Sequence, residues 1–81
     1  MVNVDEVRKR IETALPGAKV RVSTFSGDDH FQAIVEAPQF RGKSLVDQHR
    51  LVYAAVDDLL GGAMHALALK TLVLDETPAG D

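Results

Sequence analysis

Residues 19–37 read KVRVSTFSGDDHFQAIVEA, and this stretch decides the fold. Apolar and polar residues alternate in two runs, one from Lys19 to Phe25 and one from His30 to Ala37. The cluster SGDD at 26–29 separates the runs and has the composition of a tight turn. A period of two on both sides of such a turn predicts a β-hairpin.

A helix is predicted on each side of this hairpin. Asn3 can cap the first helix, with Glu6 returning the bond, and Pro16-Gly17 ends it at about Leu15. Ser44 can cap a longer helix that follows a loop or single 3₁₀ turn and runs to Leu60. The broad apolar face of the second helix comprises Leu45, Val46, His49, Val52, Tyr53, Val56, Leu59 and Leu60.

The last element is a strand over residues 66–74, ALALKTLVL, which is apolar on both faces and should be covered on each side. The element order is therefore α-β-β-α-β. A helical crossover makes the second and third strands parallel if they pair. The sequence predicts a small α+β, two-layer domain with a three-stranded mixed sheet and both helices on one face.

Length, charge and composition exclude several classes of function. With 81 residues we expect a single domain over 1–81, an ordered core at about 3–75 and a flexible tail at 76–81. The chain has no cysteine and a net charge of −3, which argues against thiolate metal sites and generic nucleic-acid binding. No apolar run approaches a membrane span, so the expected location is cytoplasmic. We expect that the protein is not an enzyme, because no nucleophile–base pair is visible. Gly42-Lys43-Ser44 resembles the end of a P-loop, but Ala37 stands where that motif needs its first glycine, so no nucleotide site is expected.

Three histidines are the candidate site residues. His30 opens the second strand and His65 precedes the last, so the two could meet at one edge of the sheet. Neutral imidazoles suit zinc, copper or iron, but two histidines without cysteine cannot close a four-coordinate site alone. From the residues alone, a surface or capping role is the more usual explanation of His65, and His30 lies at the rim of the hairpin. His49 lies on the apolar face of the long helix and is predicted to be structural.

Three motifs resemble those of the BolA family. Residues 40–55, FRGKSLVDQHRLVYAA, resemble its Phe-x-Gly-Lys-Ser start followed by a His-Arg-x-Val-Tyr helix. The stretches HFQ at 30–32 and HALALKT at 65–71 are similar to further family motifs, in the family's order. The resemblance spans roughly residues 4–73, which is nearly the whole chain.

The resemblance implies a fold like that of type II KH domains and a partnership with monothiol glutaredoxins. In such pairs a 2Fe–2S cluster bridges the two proteins, held by a glutaredoxin cysteine, its glutathione and a histidine of the BolA-like protein. That histidine corresponds to His65, and the second candidate ligand is His30. The isolated chain is expected to carry no cofactor, and the sequence leaves open whether it forms a homodimer.

A second hypothesis is a KH-like, nucleic-acid-binding transcriptional regulator. Arg41, Lys43 and Arg50 cluster around the start of the long helix and could contact either the glutaredoxin or DNA. Against DNA, the stretch Gly42 to Leu45 lacks the second glycine of a KH loop, and the chain as a whole is acidic. A solvated, basic helix start explains these residues without any ligand. If they have a function, they are predicted to form a partner or nucleic-acid surface.

Overall fold

The computed structural model describes residues 3–25, 30–60 and 66–74, and every structural statement below concerns these residues. They form α1 (Val4–Ala14), β1 (Lys19–Thr24), β2 (His30–Ala37), a 3₁₀ turn (Pro38–Phe40), α2 (Leu45–Val56) and β3 (Ala66–Val73). The order α-β-β-α-β is the one predicted. The flexible tail expected at 76–81 lies outside the described residues.

The caps that the sequence predicts begin both helices. The Asn3 side chain accepts a hydrogen bond from the Glu6 amide at 2.9 Å, and the Ser44 hydroxyl accepts one from the Asp47 amide at 3.2 Å. These bonds satisfy amides that have no partner within the helix. The Glu6 carboxylate pairs with Arg10 at 3.8 Å rather than completing a capping box.

β2 is the central strand of a three-stranded mixed sheet. It pairs antiparallel with β1, where Val20 faces Val35, and parallel with β3, where Phe31 faces Leu67. Alternate residues of β2 from Phe31 to Ala37 are fully buried and pack against both helices in one core. The helices therefore cover one face of the sheet, as predicted. The core consists of Val7, Ile11, Leu15, Phe31, Ala33, Val35, Ala37, Phe40, Val52, Val56, Leu59 and Leu67.

Two sequence-based expectations about the last elements differ from the structure. α2 ends at Val56 rather than Leu60, and Asp57 and Asp58 follow it; acidic groups are unfavourable at the negative end of the helix dipole. β3 was expected to be covered on both faces, but it is an edge strand, and its open-face residues Ala68 and Lys70 are exposed. Among the described residues, therefore, no element covers the open face of β3, although the sequence of the strand is apolar.

α2 runs antiparallel to β3 and is tied to it by two hydrogen bonds. The Thr71 hydroxyl donates to Gln48 Oε1 at 2.6 Å, and the Tyr53 hydroxyl donates to the Leu67 carbonyl at 3.2 Å. Gln48, early in α2, thus contacts Thr71, late in β3, and Tyr53 further along α2 contacts Leu67 near the start of β3. The start of α2 consequently lies beside the end of β3, which places the basic residues in the fold.

Candidate functional site

The first candidate site is the end of the sheet where β2 and β3 both begin. His30 opens β2, and its partner in the parallel register is Ala66, the first residue of β3. His65 precedes Ala66 directly in the sequence and lies outside the described residues. The described part of this end therefore contains one imidazole, that of His30.

His30 is half-buried and held on two sides. Its ring centroid lies 6.0 Å from that of Phe25, with the ring planes tilted by 40°. Its carbonyl accepts the Phe25 amide at 2.9 Å, which extends the hairpin by one residue beyond β1. Because Phe31 is buried against the helices, alternation places His30 on the open face of the sheet. The side chain is thus positioned by backbone pairing and by an aromatic neighbour that is 43% exposed.

His49 lies in the middle of α2, away from both strand starts in the sequence. It is half-buried, and its ring meets the Tyr53 ring edge-on with the centroids 6.3 Å apart. Tyr53 in turn donates to the Leu67 carbonyl. His49 therefore packs against Tyr53, the residue that ties α2 to the start of β3. The structural role of His49 remains a prediction.

The basic residues occupy the opposite end of the sheet from His30. β2 has eight residues, so about 23 Å separate its start at His30 from its end at Ala37. The 3₁₀ turn and the loop carrying Arg41 and Lys43 follow Ala37 directly. The structure thus does not bring the basic residues together with His30.

The loop before α2 is well anchored although its side chains are exposed. The buried side chain of Phe40 anchors the loop in the core. The Phe40 carbonyl accepts a hydrogen bond from the Lys43 amide at 3.0 Å. Gly42 has φ +77°, a conformation that favours glycine. Arg50 is highly exposed and pairs with Asp47 at 3.7 Å, so the local positive charge is partly balanced.

Two groups that fix the geometry were not singled out from the sequence, the Gln48 amide and the Tyr53 hydroxyl. Gln48 also donates to the Lys43 carbonyl at 3.0 Å, so one side chain joins the basic loop to β3. Helical periodicity placed Tyr53 on the buried face, but its hydrogen-bond partner depends on the tertiary arrangement. Among the described residues, no cluster of three or more metal-ligating side chains occurs and no helix is long and apolar enough to cross a membrane.

Comparison with known proteins gives a consistent family assignment. The family model described as BolA-like protein matches residues 9–76. A solved structure of a Bol-like protein from Babesia bovis superposes with a TM-score of 0.80 at 32% identity, covering 90% of this chain and 86% of that one. A BolA homologue structure from Coxiella burnetii gives a TM-score of 0.76 at 38% identity, covering 94% of this chain and 96% of that one.

A curated human relative, BolA-like protein 1, is 35% identical over 81 residues, covering 90% of this chain. The alignment spans 56% of the human protein, so the chain corresponds to about half of that relative. The family model covers most of the chain, and the solved structures share its helices and mixed sheet. This chain belongs to the BolA-like protein family.

Proposed function

We propose that this chain is an iron–sulfur adaptor that binds a monothiol glutaredoxin and shares a bridging 2Fe–2S cluster with it. It acts as a binding protein rather than a catalyst. His65 and His30 are the proposed ligands of the chain. The observation that carries the proposal is the parallel β2–β3 register, in which His30 pairs with the residue that directly follows His65. Membership in the BolA-like family supports the same reading.

The chemistry of the available donors fits such a shared site. Imidazole nitrogens replace thiolates in mixed iron–sulfur centres and raise their reduction potential. The chain has no cysteine, so the thiolates come from the partner and its glutathione. When bound, the cluster supplies one-electron chemistry, while this chain binds and orients it. The packing of His30 against Phe25 restricts its ring before any partner arrives.

The three histidines of the chain provide matched variants for the test. The protein is mixed with a cluster-loaded monothiol glutaredoxin, and visible absorption and circular dichroism are recorded with His65→Ala, His30→Ala and His49→Ala. His65→Ala and His30→Ala should each change the spectrum, because each removes a proposed ligand; His30→Ala should also lower the melting temperature slightly, because its ring packs against Phe25. His49→Ala should lower the free energy of unfolding by about 0.5–1.5 kcal/mol through the lost aromatic contact and leave the spectrum unchanged.

Three outcomes would contradict the proposal. If His65→Ala and His30→Ala both left the spectrum of the mixture unchanged, neither would be a ligand. If His49→Ala alone removed the cluster signal while the melting temperature stayed the same, the roles of the histidines would be reversed. Absence of any complex between the unaltered protein and the glutaredoxin would reject the partnership itself.

A nucleic-acid-binding role is the second candidate, favoured by one relative. A protein of Escherichia coli named DNA-binding transcriptional regulator BolA is 31% identical over 49 residues, covering 60% of this chain and 47% of that protein. On this reading Arg41, Lys43 and Arg50 contact phosphates at the start of α2. The balance of Arg50 by Asp47 and the net charge of −3 count against it.

A double variant separates the two candidates. Exchanging Lys43→Glu and Arg50→Glu should leave the cluster spectrum of the glutaredoxin complex unchanged, because these residues lie at the opposite end of the sheet from His30. The nucleic-acid reading instead predicts that the same exchange abolishes a salt-dependent shift of a labelled DNA probe. If the unaltered protein shifts the probe at physiological salt and the variant does not, the protein binds nucleic acid through these residues. The adaptor role would then not be its whole function.

A further inference from the structure

The outer edge of β3 is an unpaired strand edge. The Leu74 amide donates to the Ala37 carbonyl at 3.1 Å, so residue 74 points its backbone groups at β2. Backbone N–H and C=O groups point to alternate sides of a strand. The groups of Leu67, Leu69, Thr71 and Val73 therefore point away from the sheet. In the described part of the chain, the Leu67 carbonyl has a partner outside the sheet, the Tyr53 hydroxyl. The backbone groups of the other three have no backbone partner among the residues that the structure describes.

Exposed aliphatic side chains gather beside this edge. Among the described residues, four of the five large apolar side chains that remain exposed are Leu45, Val46, Leu72 and Val73, with 61, 60, 41 and 44% of their surface accessible. The first two precede Gln48 by at most three residues, and the last two follow its partner Thr71 by at most two. By alternation Leu72 lies on the open face of the sheet and Val73 on the helix face, so apolar surface flanks the end of this edge on both sides. Exposed apolar surface of this kind marks an interaction site.

The other edge of the sheet, formed by β1, carries more charge than the β3 edge. β1 carries two exposed cations, Lys19 and Arg21, and charged side chains on an edge strand discourage pairing with another strand. β3 carries only Lys70 among its eight residues. Strand addition is therefore expected at β3 rather than at β1.

We infer that the β3 edge pairs antiparallel with β3 of a second copy of this chain, with Thr71 opposite Thr71 of that copy. This register uses the three residues whose backbone groups are unpaired, because Leu69 then faces Val73 and Val73 faces Leu69. It leaves the Tyr53–Leu67 hydrogen bond intact, since Leu67 lies beyond the paired segment. The unpaired groups thus form a set that is symmetric about Thr71, which is what a two-fold interface requires.

The neighbouring registers are less favourable. Centring the pair on Leu69 would bring Leu67 into the ladder and compete with Tyr53 for its carbonyl. Centring it on Lys70 would set two ammonium groups directly opposite each other, which is destabilising. With Thr71 at the centre, Lys70 lies opposite Leu72 on the open face and covers it with its aliphatic stem.

The proposed interface leaves the histidine end of the sheet accessible. Thr71 is five residues from Ala66, or about 16 Å along the strand. The inference therefore does not depend on the function proposed above, and a dimer of this kind keeps both copies of His30 outside the paired segment.

The absence of cysteine allows a direct test of the register. Lys70 and Leu72 are exposed, and in the proposed register they form a non-hydrogen-bonded pair whose Cα atoms are about 4.5 Å apart, within the range of a disulfide. Equal amounts of Lys70→Cys and Leu72→Cys proteins are mixed under mild oxidation and analysed by mass spectrometry. The mixed 70–72 disulfide should exceed each like pair at least about fivefold.

The oligomeric state is measured in parallel by sedimentation over a concentration series. Val73→Lys places an ammonium group in the paired segment and should raise the dissociation constant of the dimer on the order of tenfold or more. Ser23→Lys adds the same charge on exposed β1 and should leave the constant unchanged. Circular dichroism confirms that both variants fold.

Each alternative result overturns the inference. A chain that stays monomeric at every concentration has no such dimer. A purely statistical mixture of the three disulfides rejects the register. A dimer that responds equally to Val73→Lys and Ser23→Lys uses another surface.

Discussion

The hydrogen bond between Thr71 and Gln48 offers the sharpest test of how β3 is held. Thr71 is 7% exposed, and its hydroxyl lies 2.6 Å from Gln48 Oε1. Thr71→Val keeps the shape of the side chain but removes the donor. Gln48 cannot turn its carbonyl oxygen to solvent without also breaking its 3.0 Å bond to the Lys43 carbonyl. The substitution therefore leaves a partly buried acceptor without a partner.

The expected cost follows from these contacts. Losing a neutral hydrogen bond and leaving its acceptor unpaired together cost about 2 kcal/mol. In a domain of this size that corresponds to a fall in melting temperature of about 10 °C. Unfolding in urea, followed by circular dichroism at low protein concentration, gives the free energy directly. Thr24→Val on exposed β1 is the matched control, because it makes the same change on a strand without this bond.

A double-mutant cycle identifies the interaction. Combined with Gln48→Met, Thr71→Val should cost less than the sum of the two single variants by about 1 kcal/mol. If the effects add within about 0.3 kcal/mol, the two side chains are not coupled. In that case the tie between α2 and β3 has been assigned to the wrong pair.

Three further predictions concern the elements around the site. Phe40→Ala should destabilise the fold by about 3–5 kcal/mol in urea unfolding, because the ring is fully buried beneath the basic loop; a cost below about 1 kcal/mol would show that the loop is anchored otherwise. Gly42→Ala should cost about 1–2 kcal/mol through the positive φ alone, since a Cβ there meets no atom within 4 Å, and Gly42→Asn should cost less; equal losses for both would argue against a backbone cause. The hydrogen bond from Arg10 lowers the pKa of Asp58 below its ordinary value of 3.8. The pair should therefore stabilise the fold above that pH, and the difference in melting temperature between Asp58→Asn and the unaltered protein should vanish as the pH falls through the lowered pKa.

Local sequence predicted those elements whose signals lie within a few residues. Asn3 and Ser44 cap the helices where the sequence places them, because a cap needs only a side-chain oxygen and an amide three residues on. Alternation from His30 to Ala37 predicted both the strand and its buried face, since a strand with one face in the core has a period of two. The family resemblance added the identity of the candidate ligands, which spacing alone left open.

Tertiary structure decided which strand lies at the edge and which ends of the elements meet. The apolar sequence of β3 is equally compatible with a covered strand, because hydrophobicity does not record how many neighbours a strand has. The meeting of the starts of β2 and β3 at one end of the sheet follows from the crossover of α2, a relation between residues far apart in the sequence. The partners of Gln48 and Tyr53 are likewise set by packing. Periodicity assigns a residue to a face, but the contacts across that face exist only once the helix and the sheet have come together.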